Sequence, residues 1–414
     1  MIQCGTFTYD STNGNTVSLG SEIQFIIPKK INGAAAWEMY DIMRGMPVDA
    51  GSTVPMLAPN SSGAESAAGY PYHPTATGFK IDSGYYANGS VIVYLAIRRG
   101  PMKQPTSGTQ VYNAIARTGT GAAATVTGVG FPPDLGIIAQ RTHSNAPTSV
   151  WDRMRGATKG LYTDTTGGES TDAAAVTSFD MGGITVGLDV LVNMNTKTYI
   201  NWFFRRYPGV FDEVAYTGTG SATTIAHNLG VAPELMIVKG RSSVSRFWLI
   251  YSSAIGAANG MYLNSNIAFT DMTAWNSTGP TSAVFTVSSS LQTNGSGENY
   301  VAYLFATKAG ISKVGSYTGN GSSLTLDAGF TGGAKFIMIK RTDSTGDWYV
   351  WDSTRGIVAG NDPHLSLNTT AAEVTDDDSI DPDNSGFIVN QLAATNINVT
   401  DATYIYLAFS GDSI

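Results

Sequence analysis

The sequence predicts an all-β protein of four tandem antiparallel β-sandwich repeats, jelly-roll-like and about 100 residues each. A glycine-rich motif recurs at that spacing, as ARTGTGAA (116–123), AYTGTGSA (215–222) and SYTGNGSS (316–323). Apolar and polar residues alternate in short runs such as KFIMIKRT (335–342) and DWYVWDS (347–353), and no stretch keeps a helical period over a useful length. Glycine, asparagine, aspartate and proline separate these runs, as is typical of antiparallel sandwiches.

The motifs after each glycine pair recur in one order, and this order sets the repeat boundaries. A turn and an apolar run come first, then a segment such as VWDSTRG (350–356), then a closing strand. The closing strands are TYINWFF (198–204), NYVAYLF (299–305) and TYIYLAF (403–409), with VIVYLAI (91–97) in the less faithful N-terminal copy. Self-similarity at a fixed period indicates duplicated modules, here of about seven short strands each. The predicted repeats 1 to 4 are residues 1–100, 112–207, 212–308 and 313–414.

Composition narrows the classes of function. Of the 414 residues, 42% are hydrophobic and only 14% are charged, which argues against disorder. The net charge of −8 makes nucleic acid a poor partner, because a polyanion requires a basic surface. Cys4 is the one cysteine, so an intrachain disulfide and a cysteine-based zinc site are excluded. There is no secretory signal and the apolar runs are too short to span a bilayer, so we expect cytoplasmic synthesis and no membrane insertion.

The glycine-rich motif has two interpretations, a phosphate-binding loop and a structural turn. The stretch GTGAAA (119–124) formally matches the dinucleotide pattern G-x-G-x-x-A. That pattern binds a pyrophosphate only when a helix follows the loop, whereas AAATVTGVGF (122–131) continues as a strand. Glycine tolerates a positive φ, so we expect each pair to close a tight hairpin and to bind no cofactor. The turn glycines are Gly119, Gly121, Gly218, Gly220, Gly319 and Gly321.

An aspartate stands three positions before an arginine at matching points of three repeats. The pairs are Asp41/Arg44, Asp152/Arg155 and Asp352/Arg355, whereas repeat 3 has Ser252 and Ile255 there. A glycine follows each pair, so a charge-assisted hydrogen bond between the two side chains would pin the turn. A ligand-binding arginine is the alternative. Because one repeat does without the pair, the structural interpretation is favoured.

The segment DDDSIDPDNSG (376–386) is the candidate metal site, because carboxylate oxygens suit a hard cation such as Ca²⁺. The candidate ligands are Asp376, Asp378, Asp381 and Asp383. The spacing is not that of an EF-hand, and the matching segments 172–183 and 270–282 contain less acid, which favours a solvated loop. The chain also lacks the H-x-x-x-H and G-x-S-x-G patterns, so we expect no enzymatic activity.

Most aromatic residues recur at matching positions and are predicted to lie in the core. Trp151, Trp248 and Trp351, for example, occupy closely matching strand positions. Four others lie in looser segments, where an exposed ring could stack on a sugar or anchor a protein contact. These candidate ligand or partner contacts are Trp37, Tyr70, Tyr72 and Trp275.

Several motifs in a fixed order resemble a known family. The motifs are GFTGGAKFIMIKRT (329–342), WYVWDSTRG (348–356), LNTTAAEVT (367–375), SGFIV (385–389) and TYIYLAFS (403–410). Together they resemble a repeated β domain of unknown function found in virion proteins of tailed bacteriophages and in prophage regions, often described as tail-fibre-like or structural. The resemblance is strongest over residues 313–410, good over 112–310 and faint over 1–100. It implies a virion component and brings no catalytic residues.

The sequence and the resemblance lead to one expected function and two alternatives. We expect a non-enzymatic virion structural protein of a tailed bacteriophage, made in the host cytoplasm and placed in the tail or tail-fibre apparatus. Its expected partners are other virion proteins and copies of itself, bound through large interfaces, edge strands and symmetric contacts. The alternatives are a carbohydrate-binding adhesin for host surface glycans, and a decoration or head-fibre protein on the capsid.

Overall fold

Nearly all of the regular structure is β-strand. The computed structural model describes residues 2–48, 53–69, 72–99, 104–142, 145–242 and 245–411. Within these ranges the strands form several sheets, and the described strand pairs are antiparallel. No helix in this part of the chain has the length and apolar character that crossing a bilayer requires. The all-β prediction is confirmed.

The chain divides by its internal contacts into two units: residues 1–103 with 152–157, and residues 104–151 with 158–414. The strands of repeat 1 are β1 (Ile2–Thr8), β2 (Asn15–Ser18), β3 (Ile23–Lys30), β4 (Tyr40–Asp41), β5 (Thr53–Met56), β6 (Ser66–Gly69), β7 (Tyr72–Thr75), β8 (Gly78–Ile81) and β9 (Val91–Arg98). They form a large sheet in the order β1-β9-β3-β4, a smaller sheet β2-β8-β7 and a hairpin β5-β6.

The large and small sheets of repeat 1 enclose a hydrophobic core. Ile26 of β3 and Ile92 and Ala96 of β9 belong to one buried cluster with Phe79 and Ile81 of β8. Successive side chains of a strand alternate between its two faces. Every other side chain of β3 and β9 therefore lies on the outer face of the large sheet, away from this core.

The second unit contains repeats 3 and 4 and, apart from residues 152–157, repeat 2. Repeat 2 has strands β10 (Tyr112–Thr118), β11 (Ala124–Val126), β12 (Leu135–Gln140), β13 (Ser149–Asp152), β14 (Lys159–Tyr162), β15 (Ser170–Thr171), β16 (Val176–Phe179), β17 (Ile184–Val186) and β18 (Thr198–Phe204). Repeat 3 has strands β19 (Phe211–Thr217), β20 (Thr223–Ala226), β21 (Leu235–Gly240), β22 (Trp248–Ser252), β23 (Asn259–Tyr262), β24 (Thr270–Asp271), β25 (Val284–Val287) and β26 (Asn299–Phe305). Repeat 4 has strands β27 (Ser312–Thr318), β28 (Leu324–Asp327), β29 (Ala334–Arg341), β30 (Tyr349–Asp352), β31 (His364–Ser366), β32 (Ile380–Asp383), β33 (Gly386–Val389) and β34 (Thr403–Ser410).

One strand order recurs in the large sheets, in which the first strand of a repeat pairs with its closing strand. The orders are β10-β18-β12-β13-β14-β15, β19-β26-β21-β22-β23-β24 and β27-β34-β29-β30-β31. Each repeat also has a smaller sheet, formed by β11-β17-β16, β20-β25 and β28-β33-β32 respectively. The large sheet of repeat 1 follows the same order, so its first strand likewise pairs with its last.

Two short helices, α1 (Val190–Asn193) and α2 (Leu291–Asn294), precede the closing strands β18 and β26. A 3₁₀ turn (Gly108–Gln110) lies before β10. Asp189 and Ser290 cap α1 and α2, because each side chain accepts a hydrogen bond from the backbone amide two residues later. The last residue of each α-helix is a buried asparagine, and both asparagines reach the glycine loops described below.

The outer faces of the three large sheets of the second unit pack against one another. The ring of Phe204, at the end of β18, lies 6.0 Å from that of Phe305 and 5.4 Å from that of Phe409. These three residues hold matching places at the ends of the closing strands. A cavity of about 40 Å³ remains between the sheets, with apolar side chains from each repeat around it. Its lining includes Leu135, Trp202, Ile237, Tyr303, Met338 and Leu407.

Main-chain hydrogen bonds join repeats 2, 3 and 4 into a closed ring. In each repeat a segment after the fifth strand bonds to the end of the third strand of the next repeat. The amides of Glu169, Phe269 and Glu373 donate to the carbonyls of Arg241, Thr342 and Arg141, at 2.8, 3.0 and 2.9 Å respectively. We define these three junctions as the seams of the ring. Repeat 4 bonds back to repeat 2, so none of the three is a free end.

Salt bridges and tryptophans strengthen the seams. Arg241 binds Glu169 with Nε–Oε2 2.9 Å, and Arg141 binds Glu373 with Nη2–Oε2 2.8 Å. The indole N–H of Trp248 donates to the carbonyl of Tyr162 at 2.8 Å, and that of Trp348 donates to the carbonyl of Tyr262 at 2.9 Å. Trp248 therefore corresponds to Trp348. The matching of Trp248 with Trp151 and Trp351 in the sequence was wrong, because the register of β22 places Tyr251 at that position.

Candidate functional site

The glycine loops are filled by a side chain of the same repeat. In repeat 4, Asn398 Oδ1 accepts the amide of Asn320 at 2.9 Å, and its carbonyl accepts the amide of Gly321 at 2.8 Å. Gly321 has φ +77°, which favours glycine. A Cβ on Gly319 would lie 2.2 Å from the Val399 carbonyl oxygen, so only glycine fits there.

The same arrangement recurs in repeats 2 and 3. Asn193 and Asn294 accept the amides of Thr120 and Thr219 at 3.0 and 2.7 Å, and the loops are Gly119–Gly121 and Gly218–Gly220. A phosphate cradle requires backbone amides that are free to donate, whereas these amides are bound inside the repeat. The expected tight hairpin was wrong in one respect. The loop connects strands of two different sheets, such as β10 and β11, which do not pair.

Replacing Gly218 by alanine is expected to lower the free energy of unfolding by about 1–3 kcal/mol. The new Cβ would lie 2.2 Å from the Gly295 carbonyl oxygen, and the backbone there cannot move without disturbing Asn294. Urea unfolding measures the loss. Gly182→Ala is the matched control, since no heavy atom lies within 4 Å of the new Cβ. Equal stability of the two variants would contradict a loop closed by packing.

The aspartate–arginine pairs close the turns that they precede. Asp352 Oδ1 accepts the amide of Arg355 at 3.0 Å, while Arg355 Nε donates to Asp352 Oδ2 at 2.6 Å. Both side chains are 0% exposed. The indole N–H of Trp202 donates to Asp352 Oδ2 at 2.8 Å, and the guanidinium of Arg355 lies 5.4 Å from the centre of the Trp202 ring. This pair therefore links repeat 4 to repeat 2.

The other two pairs have the same local geometry. Arg44 donates from its backbone amide and Nε to the Asp41 carboxylate at 2.8 and 2.5 Å, and the two side chains are about one fifth exposed. Arg155 likewise donates to Asp152 through both groups. The glycine after each pair has a positive φ, +105° at Gly45. These arginines are held by carboxylates of their own turns.

The acidic segment of repeat 4 is held by hydrogen bonds to neighbouring side chains and backbone amides. Among the described residues, no group of three or more His, Cys, Asp or Glu side chains is placed to hold a metal ion. Asp383 instead accepts the amide and hydroxyl of Ser385 at 2.8 and 2.6 Å, and Asp381 accepts Nδ2 of Asn390 at 2.7 Å. Asp376 and Asp378, the other two candidate ligands, take no part in such a group. The hydrogen bonds close the turn between β32 and β33.

Two of the four candidate contact aromatics are buried, so predicting them as exposed was wrong. Tyr72 is 0% exposed because it lies in β7 with its ring 5.3 Å from that of Tyr40. Trp275 is also 0% exposed and packs edge-on at 5.9 Å against Tyr251. Tyr70 lies outside the described residues. Trp37 is 41% exposed, as a surface contact requires.

A buried glutamate of repeat 1 lies among tyrosines, a cluster that the sequence analysis missed. Glu38 is 7% exposed, and its carboxylate accepts the hydroxyls of Tyr40, Tyr85 and Tyr86, each at 3.0 Å. Burial raises the pKa of Glu38, and the three hydroxyls oppose that rise. Both carboxylate oxygens accept, so the group anchors β4 to the chain before β9.

Two buried lysines lie at equivalent places beside the seams. Lys340 donates to the Asn266 carbonyl of repeat 3 at 2.9 Å, and Lys239 donates to the Arg246 carbonyl. Burial lowers the pKa of each lysine to about 8. The ammonium of Lys239 also lies 5.6 Å from the centre of the Trp248 ring. Lys340 thus makes a contact between repeats 4 and 3, whereas Lys239 binds within repeat 3, beside the seam tryptophan Trp248.

The stability contribution of His364 is expected to depend on pH. Burial, followed by the positive charge of Arg355, lowers its pKa to about 4 from 6.5. The unfolded chain therefore binds a proton first, so this stability is full above pH 6.5 and falls as the pH drops to 4, by up to about 3 kcal/mol. Asp362 has the opposite pH dependence. Burial raises the pKa of that carboxyl to about 7, so its contribution to stability increases as the pH falls below 7.

The variant His364→Gln separates the contribution of His364 to stability from that of Asp362. The free energy of unfolding of the wild type minus that of His364→Gln should decrease between pH 7 and pH 4, as measured by urea unfolding at each pH. Asp377 Oδ2 lies 3.8 Å from His364 Nδ1 and is present in both proteins, so its own titration cancels in the difference. A difference that is constant over this range would show that the histidine is not held neutral.

One set of structural residues, the asparagines that fill the glycine loops, was missed although it recurs. The loop-filling asparagines Asn193, Asn294 and Asn398 each stand six residues before a tyrosine of the closing strand. Those tyrosines are Tyr199, Tyr300 and Tyr404, whose hydroxyls donate to carbonyls at 3.0, 2.7 and 2.8 Å. The recurrence of a polar amide at one point of three repeats was the available signal.

Comparison with known proteins gives a family. A comparison with curated proteins found no match. A family model described as a domain of unknown function, DUF7483, matches residues 107–412. One match thus spans repeats 2, 3 and 4, the same part of the chain in which the closed ring lies. Since the model covers well over half of the sequence, the chain belongs to the DUF7483 family.

Proposed function

We propose that this chain is a non-enzymatic structural protein of a tailed-bacteriophage particle, built of four copies of one β-sandwich module. It belongs in the tail or tail-fibre apparatus, where it acts through protein–protein interfaces with other virion proteins. The observation that carries the proposal is the ring of repeats 2 to 4. Its modules use their apolar outer faces, main-chain edges and buried charges to bind each other.

The polar groups in unusual environments support a structural role. Glu38, Asp352 and Lys340 are all buried, and each is bound to groups of the protein itself. A catalytic or ligand-binding group would instead present its polar atoms to a cleft where a substrate can reach them. The phage setting comes from the motif resemblance over repeats 2 to 4.

The proposal is tested on particles purified from a host that carries the gene. Mass spectrometry should find the chain in the particles at a copy number that is a multiple of three or six, as the symmetry of a tail requires. Hundreds of copies would place it on the capsid as a decoration or head-fibre protein and overturn the tail assignment. A chain confined to the cleared lysate, with none in the particles, would overturn the virion role altogether.

Carbohydrate binding is the second candidate function, and Trp37 is the observation that favours it. Its ring is 41% exposed and has the ammonium of Lys29 at 6.0 Å from its centre. Exposed tryptophan faces stack well on sugar rings. A glycan array of the full chain, with Trp37→Ala as the control, should show binding that the variant loses. Equal signals from both proteins would contradict it.

A further inference from the structure

Repeat 1 has the outer sheet face that repeats 2 to 4 bury in the ring. In repeat 4, β29 and β34 place Phe336 opposite Phe409 and Met338 opposite Leu407. Each of these four side chains is at most 4% exposed, because the other two large sheets cover them. The face is therefore a module–module interface in the second unit.

The matching strands of repeat 1 carry apolar residues in the same register. Phe25 lies opposite Ile97, and Ile27 lies opposite Leu95. All four are only half-buried, whereas the inward-facing residues of the same strands, such as Ile26, are buried. The inner face of the sheet confirms that these strands of repeat 1 match those of repeat 4 residue by residue. There a Cβ on Gly5 would clash with the Tyr94 ring, just as one on Gly315 would clash with the Tyr406 ring.

Repeat 1 also has the seam tryptophan. The Trp37 amide donates to Asn60 Oδ1 at 3.0 Å, as the Trp248 amide does to Asn264 Oδ1 at 3.0 Å. Both rings have a lysine of the third strand beside them, Lys29 at 6.0 Å from the Trp37 ring. Yet Trp248 is 1% exposed and Trp37 is 41% exposed. The difference is the neighbouring repeat, whose carbonyl accepts the indole N–H of Trp248.

Repeat 1 also has the other half of a seam, which is the segment after the fifth strand with its glutamate. Glu65 binds Arg44 at 3.1 Å, as the seam glutamate Glu373 binds Arg355 at 3.2 Å. The segment from residue 59 to 66 that contains Glu65 is exposed, and so is Ile31, which corresponds to the seam residue Arg241. Repeat 1 thus has both halves of a seam on one module.

We propose that three copies of this chain associate through repeat 1, forming a ring like that of repeats 2 to 4. Phe25, Ile27, Leu95 and Ile97 of the three copies meet at its centre. At each junction the Trp37 indole of one copy donates to the Ala58 carbonyl of the next, the position that matches Tyr162 and Tyr262. This association does not depend on whether the chain is a phage protein.

Copies of repeat 1 fit the face better than a different protein would. The covered faces in this chain are covered by the same kind of module, in the same register and with the same tryptophan and glutamate. The three seams of repeats 2, 3 and 4 are closed on one another within their own ring. A module with both halves of a seam closes a ring only when equivalent modules supply the complementary halves.

The mass of the full chain in solution tests the proposal. Light scattering after size exclusion should give three times the 43.6 kDa of one chain. Leu95→Lys, which puts a charge at the centre of the face, should give the mass of one chain. Trp37→Ala should shift the trimer toward monomer at low protein concentration. The matched control is Leu188→Lys, a 63% exposed leucine of the second unit, which should leave the trimer intact.

Cys4 gives an independent measurement on folded protein. It lies opposite Leu95 in the register of β1 and β9 and is exposed. In the trimer its reaction with a maleimide should be at least about tenfold slower than in Leu95→Lys, with native circular dichroism in both. A wild-type chain that is monomeric or dimeric would overturn the proposal. A trimer that both variants leave unchanged, with Cys4 fully reactive, would overturn it too.

Discussion

Replacing Asp352 by alanine is expected to lower the free energy of unfolding by about 3–5 kcal/mol. Asp352 and Arg355 are both 0% exposed, so the substitution removes the carboxylate that binds Arg355 Nε and leaves the buried guanidinium with Glu373, at 3.2 Å from Nη1, as its salt-bridge partner. It also leaves the Trp202 indole N–H of repeat 2 without its acceptor. Urea unfolding followed by tryptophan fluorescence measures the loss, because Trp202 reports directly on this site.

Asp41→Ala is the matched control for this prediction. Asp41 and Arg44 have the same turn and the same hydrogen bonds, but their side chains are 20% and 22% exposed. Water can solvate the remaining arginine there, so we expect a loss of about 1 kcal/mol. The double variant Asp352→Ala/Arg355→Met should recover part of the loss, because the buried guanidinium that lost Asp352 is removed as well and Glu373 keeps its salt bridge with Arg141. A double variant as unstable as the single one would show that the lost energy lies in packing instead.

The hundred-residue period was sufficient to locate the closing strands, whereas the prediction of about seven strands per repeat was too low, since the structure has eight or nine. The closing strands predicted at 198–204 and 299–305 coincide with β18 and β26 of the structure. These segments are largely apolar on both faces, because one face lies against the small sheet and the other against neighbouring repeats. A strand that is buried on both faces gives a strong sequence signal, and the repetition removed the ambiguity of any single run.

Burial of particular rings could not be predicted from local sequence. Tyr72 and Trp275 lie in segments rich in glycine, proline and serine, as exposed loop residues often do. Their burial depends on which sheet the segment returns to, and Tyr72 packs against Tyr40, far away in the chain. The same holds for Trp248, whose role at a seam is visible only once repeat 2 lies beside repeat 3. Contacts between repeats leave no periodic signal within a repeat.

The ring itself was also beyond the sequence analysis, for a related reason. A tandem repeat predicts similar modules but not whether they form a row or a closed ring. Closure rests on bonds such as that from the Glu373 amide to the Arg141 carbonyl, between the last repeat and the second. Glu373 and Arg141 do carry the charges for it, but each alone is an ordinary surface residue in sequence.

Replacing Phe204 by alanine is expected to destabilise repeats 2, 3 and 4 together, by about 3–5 kcal/mol. Phe204 is 1% exposed, and its ring lies within 6.0 Å of those of Phe305, Phe336 and Phe409 in the other two repeats. The substitution therefore opens a cavity that the three sheets share. Urea unfolding gives the size of the loss. Phe247→Ala, at a ring that is 37% exposed, is the control and should lose much less.

Hydrogen exchange shows whether the ring unfolds as one body. Since Phe204 contacts all three large sheets, amide exchange in Phe204→Ala should become faster in β18, β26 and β34 by a similar factor. If the repeats were independent domains in a row, only β18 of repeat 2 would exchange faster. That result would contradict the ring, because side chains that meet at one centre cannot be lost from one repeat without loosening the other two.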